Sequence, residues 1–264
     1  MTQTVTHSHG AHDIVVIPCL TDNYAFLLHH RESGRTALID APEAAPIRAE
    51  LDARGWTLNE IVLTHHHSDH IQGVSALRAG TQVFGAAADA HRLPELDVML
   101  VADGEVEICG TTAHVLDVSG HTNGHIALHF AELGVAFTAD SLMAMGCGRL
   151  SEGTAPQMWE SLGRLMALPP ETALYSGHEY TAANMAFALS LEPENEALLA
   201  RKADIDAARA DDAPTVPATL GVELQTNPFL RAADPALQAA LGLSGAEPGA
   251  VFTAARAAKD DFTG

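Results

Sequence analysis

Short apolar runs broken by turn residues dominate the first half of the chain. Residues 14–17, 24–28 and 36–39 read as three strands in quick succession, separated by polar or glycine-containing turns. Residues 44–54 carry Ile47 and Leu51 one helical turn apart and end at Gly55, the pattern of a helix closed by a C-terminal glycine. Residues 60–63 form a further strand that runs into Thr64 and a histidine-rich segment, from which a helix is expected to extend to about Gly80. Strands recur at 82–84, 105–108, 113–118, 126–130 and 135–138. Strands and helices alternating at this density predict two sheets with helices outside them.

The character changes after Gly153. Residues 156–168 place Trp159, Leu162 and Met166 on one helical face, and Pro169 and Pro170 stop that helix. Residues 173–176 are a last short strand ending at Gly177 and His178. Beyond it, 182–191, 194–210, 235–241 and 246–260 read as helices, with loops at Pro214, Pro217 and Pro228. A boundary near residue 180 therefore divides the chain into a sheet-rich unit, 1–180, and a helical unit, 181–264. Residues 1–13, with His7, His9 and His12, read as a frayed terminus.

Composition narrows the partners. Apolar residues make up 47% of the 264, enough for a sizeable core in one domain with a smaller appendage. Fourteen basic against 34 acidic residues leave a formal charge of −20, so nucleic acid and anionic membrane surfaces are excluded as partners. A small anionic substrate would need some of the few Arg and Lys gathered at its site. Cys19, Cys109 and Cys147 are odd in number and widely spaced, which gives neither a disulfide framework nor a close zinc-binding pair and fits a reducing compartment. The polar first thirteen residues lack a long apolar run, and the cytoplasm is the expected location. A monomer or a small homo-oligomer is compatible with all of this.

The chemistry concentrates in His65, His66, His67, Ser68, Asp69 and His70, an H-x-H-x-D-H pattern at the end of an apolar strand. Alternation in an extended segment puts His65 and His67 on one side, while Asp69 and His70 point elsewhere, as a second metal position requires. Imidazole with carboxylate suits zinc, iron or manganese. Three further ligand types follow at strand ends: His121 after Gly120, Asp140 after the run 135–139, and His178 after Gly177. They supply a third ligand for each of two metals and a carboxylate able to bridge them. His66 should face away. His29, His30, His91, His114, His125 and His129 show no partner pattern and read as surface or packing residues.

H-x-H-x-D-H, then G-H-T, an Asp at a strand end and G-H together resemble the metallo-β-lactamase superfamily over residues 14–180. The resemblance implies an α/β (α+β) αββα sandwich of two mixed sheets flanked by helices. His65, His67 and His121 would hold one metal, Asp69, His70 and His178 the other, and Asp140 would bridge. Further segments resemble glyoxalase II: residues 21–24 (TDNY), 146–150 with 152–154, 177–181 (GHEYT), 226–231 (TNPFLR) and 256–262. The last two lie in the helical unit, which the resemblance makes a substrate-binding domain.

That likeness implies hydrolysis of S-(2-hydroxyacyl)glutathione, with S-D-lactoylglutathione giving D-lactate and glutathione, the second step of methylglyoxal detoxification. Two divalent ions, zinc in the first place, would ionise a shared water, with Asp69 and Asp140 as the catalytic carboxylates. Arg149, Tyr180, Arg256 and Lys259 would bind the glutathione moiety; Arg256 and Lys259, at i and i+3, share a helical face. Cys147 gains no catalytic role from the likeness and reads as structural. Ser151 stands where some members of that family carry an aromatic residue. The alternatives are a lactonase-like or other hydrolase of the superfamily, a glutathione persulfide dioxygenase with one iron, or a metal-storing protein.

Overall fold

The computed structural model describes residues 2–263. Seven strands form the first sheet in chain order: β1 (Val5–His9), β2 (His12–Cys19), β3 (Asn23–His30), β4 (Thr36–Ile39), β5 (Glu60–Leu63), β6 (Gln82–Ala86) and β7 (Val98–Leu100). Pairing is antiparallel up to β4 and parallel from there on. The second sheet is built from β8 (Glu105–Ile108), β9 (Thr111–Asp117), β10 (Ile126–Phe130), β11 (Val135–Ala139), β14 (Ala173–Ser176) and β15 (Ala218–Thr219), in the order β15-β14-β11-β10-β9-β8. Between β11 and β14 the chain makes a small hairpin, β12 (Leu142–Met143) and β13 (Gly146–Cys147).

Among the described residues the α-helices are α1 (Ala44–Arg54), α2 (Ser68–Ile71), α3 (Val74–Leu77), α4 (Ala155–Met166), α5 (Thr181–Leu191), α6 (Glu196–Ala210), α7 (Leu220–Thr226), α8 (Pro235–Ala240) and α9 (Pro248–Asp261). None among the described residues is long and apolar enough to cross a membrane.

The near-continuous apolar runs of β2, β3 and β4 have a simple cause. Their sheet is covered on both faces, so both sets of alternating side chains are buried. Ile14, Val16 and Phe26 face the second sheet and meet Leu128, Phe137 and Tyr175. Val15, Ile17 and Leu27 face outward onto Ile47 and Leu51 of α1 and Val74 of α3. On the outer face of the second sheet, Ala127, Ala136 and Leu174 pack on Met158, Leu162 and Leu165 of α4 and on Val251 and Phe252 of α9. The result is the four-layered αββα arrangement that the pattern predicts, with α9 brought onto the same layer as α4.

Helix α4 starts where local chemistry tells it to. The Thr154 side chain accepts from the Gln157 N–H while the Gln157 side chain accepts from the Thr154 N–H, and Pro156 stands in the first turn.

Three expectations need correction. Residues 5–13 are not frayed: β1 pairs with β2 around Gly10, and His9 Nε2 lies 2.8 Å from the Tyr175 hydroxyl. The helix from the histidine motif to Gly80 is two single turns, α2 and α3, divided at Gly73. A Cβ there would stand 2.8 Å from the Ala41 carbonyl oxygen, so close chain approach, not helix propensity, sets this segment. Helix α7 and strands β7, β12, β13 and β15 were not foreseen; the strands have only two or three residues and too short a periodicity to register.

Phe137 is almost fully buried at the centre of the sandwich, with its ring 5.4 Å from Phe26, 5.2 Å from Tyr175 and 5.8 Å from Phe130. Phe137→Ala should cost about 3–5 kcal/mol in urea unfolding. A loss below about 1 kcal/mol would mean that the two sheets do not close on this ring.

Candidate metal centre and active site

Strand ends deliver the seven predicted ligands to one place. The segment after β5 carries His65, His67, Asp69 and His70; the turns after β9, β11 and β14 carry His121, Asp140 and His178. The strands β5, β11 and β14 end on the same rim of the sandwich. A register shift between Phe137 and Ala139, with Ala139 at φ 40°, re-aims the chain so that Asp140 turns inward.

Two ligand sets result. The donor atoms of His65, His67 and His121 all lie within 4.8 Å of one another, as do those of Asp69, His70 and His178. His67 Nδ1 is 2.9 Å from His121 Nε2, and His70 Nε2 is 3.3 Å from His178 Nε2. Asp140 sits between the sets, with Oδ2 3.4 Å from His121 Nε2 and 3.2 Å from His178 Nε2, and Oδ1 3.4 Å from His70 Nε2. Side chains leave no room to spare: a Cβ on Gly177 would fall 2.5 Å from Asp140 Oδ1, and one on Gly148 would overlap the Asp140 carbonyl oxygen.

Outer partners decide which imidazole nitrogen faces inward. His70 Nδ1 donates to Asp40 Oδ2 at 2.8 Å, His178 Nδ1 to Asp22 Oδ1 at 2.9 Å and His121 Nδ1 to the Arg149 carbonyl at 2.8 Å. The Thr64 hydroxyl donates to Asp40 at 2.8 Å and so accepts from His65 Nδ1 at 3.0 Å. In each of these four residues Nε2 is left as a lone pair aimed at the centre. His65 Nε2 and Asp140 Oδ1 are buried without any hydrogen-bond partner. Unpartnered nitrogen and oxygen acceptors, with tautomers already set, fit divalent ions of the zinc, iron or manganese type.

Asp40, Asp22 and Asn23 are site residues that were not foreseen. Asp40, at φ 56°, follows β4 and lies 25 residues before the histidine motif, so nothing local marks it; an acid directly after an apolar strand was the only available signal. Asn23, within the TDNY segment, donates to Asp69 Oδ2 at 3.1 Å.

His125 is a correction. It has a partner pattern after all: it is fully buried, stacks on His65 with centroids 4.6 Å apart, donates to the Ile126 carbonyl at 3.1 Å and accepts from the Asp140 N–H at 3.3 Å. His66 does face away, onto Asp89 Oδ2 at 2.9 Å. His29 stacks on Trp56 at 3.8 Å and His114 approaches Glu105, both far from the centre.

Burial and charge act in opposite directions here. Burial holds the His65 imidazole well below its ordinary pKa and pushes His125 down to about 3, so both stay neutral. Burial works to raise the Asp140 carboxyl, but the neighbouring His70 and His178 outweigh it and hold it well below the usual carboxylate range.

The centre opens into a cavity of about 500 Å³. His67, Asp69 and His178 form its floor; Arg149, Tyr180 and Lys259 are on its walls. Tyr180 is 39% exposed and stacks nearly parallel on His178 at 4.7 Å. Arg149 is exposed. Lys259 donates to the Ala183 carbonyl at 3.0 Å and lies over the Phe187 and Phe262 rings; burial, then Arg256 and Arg149, lower its pKa. Arg256 also borders the cavity but is only 4% exposed. The four predicted substrate residues are therefore brought together on the metal-binding cavity, three at its surface and one behind it. Ser151 lines the same space. Cys147 lies there too, its thiol pushed up to about 11 by burial, which makes it a poor nucleophile.

Comparisons with known proteins accord with this architecture. Residues 21–178 match the family model "Metallo-beta-lactamase superfamily", and residues 179–262 match "Hydroxyacylglutathione hydrolase C-terminus". The structures of the BLEG-1 B3 metallo-β-lactamase (TM-score 0.63, 21% identity, 81% of this chain and 98% of that one) and of ETHE1 from Myxococcus xanthus (TM-score 0.61, 22% identity, 98% of each) share the fold. The chain thus has the metallo-β-lactamase fold, whose His and Asp groups here form a site for divalent metal ions.

Curated relatives narrow the assignment. The hydroxyacylglutathione hydrolase of Ruegeria pomeroyi is 57% identical over 252 residues, covering 95% of this chain and 99% of the relative. That of Roseobacter denitrificans is 58% identical over 253 residues, covering 95% and 99%. The chain belongs to the hydroxyacylglutathione hydrolase family.

Asp40 supports both ligand sets, through His70 directly and through Thr64 to His65. In Asp40→Asn the amide would present a donor where His70 needs an acceptor. Metal affinity should fall about 10- to 100-fold, measured by competition with a chromogenic chelator. Unchanged affinity at both positions would show that the tautomers are set in some other way.

Proposed function

We propose that this chain hydrolyses the thioester of S-(2-hydroxyacyl)glutathione, S-D-lactoylglutathione above all, to the 2-hydroxy acid and glutathione. One observation carries the reading beyond the family assignment. The metal-ligand floor and a wall made by Arg149, Lys259 and Tyr180 share a single cavity, and Tyr180 and Lys259 of that wall come from residues 179–262, the part that matches the hydroxyacylglutathione hydrolase C-terminus. The lactonase-like and metal-storage alternatives account for the ligands but not for this wall, and against the persulfide dioxygenase stands the match of residues 179–262 to the hydroxyacylglutathione hydrolase C-terminus.

His65, His67 and His121 would hold one divalent ion, Asp69, His70 and His178 a second, and Asp140 would touch both. Zinc suits this set best, since imidazole with carboxylate is its ordinary hydrolytic environment. Such ions supply Lewis acidity and a water of lowered pKa. The chain's residues do the rest. Asp69 and Asp140 present carboxylate oxygens to the reacting water, and Asn23 orients Asp69. Arg149 and Lys259 offset the −20 charge locally and draw in the carboxylates of the peptide. Tyr180, fixed flat on His178, gives the substrate an amphipathic surface beside the floor. No side-chain nucleophile is needed, and the leaving thiolate is a good one because its conjugate acid has a pKa near about 8.5.

We assign residues 1–180 as the catalytic unit, which also carries Arg149 and Tyr180, and 181–264 as the helical, substrate-binding unit that adds Lys259 to the wall. Three buried free cysteines suit a reducing compartment such as the cytoplasm.

Purified protein should hydrolyse S-D-lactoylglutathione, followed by thioester absorbance, and His67→Ala should abolish the activity. A sample carrying about two metals per chain without hydrolysis would sink the proposal. Arg149→Ala with Lys259→Ala should raise KM about tenfold or more while kcat and metal content hold, since these groups supply uniform binding. Equal losses in kcat and kcat/KM would place them in the reaction itself. Cys147→Ser should retain most of its activity. A drop of more than about a hundredfold in kcat, with metals retained, would reinstate a thiol mechanism.

A further inference from the structure

The hairpin that follows Asp140 is held from outside, by its backbone. Over five consecutive residues its polar groups bond side chains of the helical unit. Asn227 Nδ2 donates to the carbonyls of Met143 at 3.3 Å and Gly146 at 3.1 Å. Asn184 Nδ2 donates to the Ala144 carbonyl at 3.1 Å, and the Met145 N–H donates to Glu223 Oε2 at 2.9 Å. Arg256 Nη1 donates to the Cys147 carbonyl at 2.9 Å. Met145 sits at φ 61°, a region that side-chain-bearing residues avoid unless their surroundings impose it.

The clamp is itself braced. Glu223 is fully buried, and its charge is met by Arg201 and by Asn227 Nδ2 at 2.9 Å. Asn227 Oδ1 accepts from the Phe229 N–H at 3.0 Å, so the amide has a single orientation. Arg256 is held on one side, while its Nε is buried without a partner at the edge of the cavity. Its Nη2 donates to Asp260 at 2.9 Å, and its guanidinium lies over the Phe229 ring at 4.9 Å.

What the hairpin leads to makes the clamp matter. It runs into Gly148, packed against Asp140 and His121, and then into Arg149, whose carbonyl accepts from His121 Nδ1. A shift of that carbonyl frees the His121 ring to flip or to move its proton to Nε2, the atom that faces His67 and Asp140. We propose that Asn227, Glu223 and Arg256 are positioning residues for the metal centre. The helical unit fixes the hairpin, the hairpin fixes the Arg149 carbonyl, and that carbonyl sets His121. The unit that walls the substrate cavity thus also tunes one of the two metal positions. Arg256 reaches the hairpin through the Cys147 carbonyl. This inference rests on the metal-centre reading above.

The test is zinc retention by the purified holoenzyme dialysed against graded zinc–chelator buffers, with far-UV circular dichroism and urea midpoint recorded on each sample. Wild type should hold two ions per chain. Asn227→Ala should release one of them at about 10- to 100-fold higher free zinc than wild type and keep the other unchanged. General loosening would move both ions and the urea midpoint together. Arg256→Ala separates the two roles for that residue: a positioning role shifts the same ion, whereas substrate contact raises KM and leaves zinc untouched. Wild-type retention of both ions in Asn227→Ala, or a KM-only effect of Arg256→Ala, would overturn the inference. A wild type that holds no zinc at all would overturn the metal-centre reading and this inference with it.

Discussion

Acceptors that face one another without a proton between them are the constraint on which the rest of this structure depends. His121 Nδ1, His70 Nδ1 and His178 Nδ1 each donate outward, so the Nε2 atoms they turn inward carry lone pairs. Those atoms meet His67, Asp140 and each other at 2.9–3.4 Å. Like dipoles brought this close in a buried place repel, and a shared positive charge, a proton or a metal ion, turns the repulsion into attraction. Burial works to lower the His70 and His178 imidazoles, yet Asp140 raises both above their ordinary pKa. The fold must hold the ligands in place against that repulsion, and part of its irregular backbone does so. Ala139, Asp40 and Met145 lie at positive φ at the points where the chain must turn a ligand or its partner inward.

The sandwich explains how such a cluster is sustained. Two sheets buried on both faces give a stiff frame, and a turn at a strand end inherits that stiffness. The seven ligands come from four strand ends, those of β5, β9, β11 and β14, so no single loop carries the whole geometry. The outer partners follow the same logic. Asp40 follows β4, Asp22 lies between β2 and β3, and the Arg149 carbonyl follows β13. Removing one ligand would leave several others, but moving one strand would misplace a ligand and its partner together.

How much of this was legible in the sequence follows from distance along the chain. The strands of the sandwich announced themselves because both faces are apolar. The ligands did so because four of them fall within six residues, and the other three stand beside glycines or at strand ends. Asp40, Asp22, His125 and Glu223 were not legible as site residues. Each acts through a contact 15 to 156 residues away, and each looks locally like an ordinary acid or histidine. The terminal histidines misled for the opposite reason. A polar, histidine-rich stretch looked unstructured, yet the alternation of Val5, His7 and His9 was the pattern of a strand turning one face toward Tyr175.

The helical unit shows why the sandwich alone does not settle the reaction. Structures near 21% identity share the frame, and likeness at that level speaks to fold and nothing finer. Residues 179–262 match the hydroxyacylglutathione hydrolase C-terminus, and their effect is wider than a wall of the cavity. Asn184, Glu223, Asn227 and Arg256 grip the hairpin through its carbonyls and one N–H, so they specify its path while asking little of its side chains. Residues 143–147 are thereby free to shape the cavity, while the Arg149 carbonyl beyond them stays where His121 needs it. Binding and catalysis are then coupled by construction. On the proposed function, α9 presents Lys259 to the substrate and Arg256 to the hairpin that leads to the Arg149 carbonyl, so neither function can drift without disturbing the other.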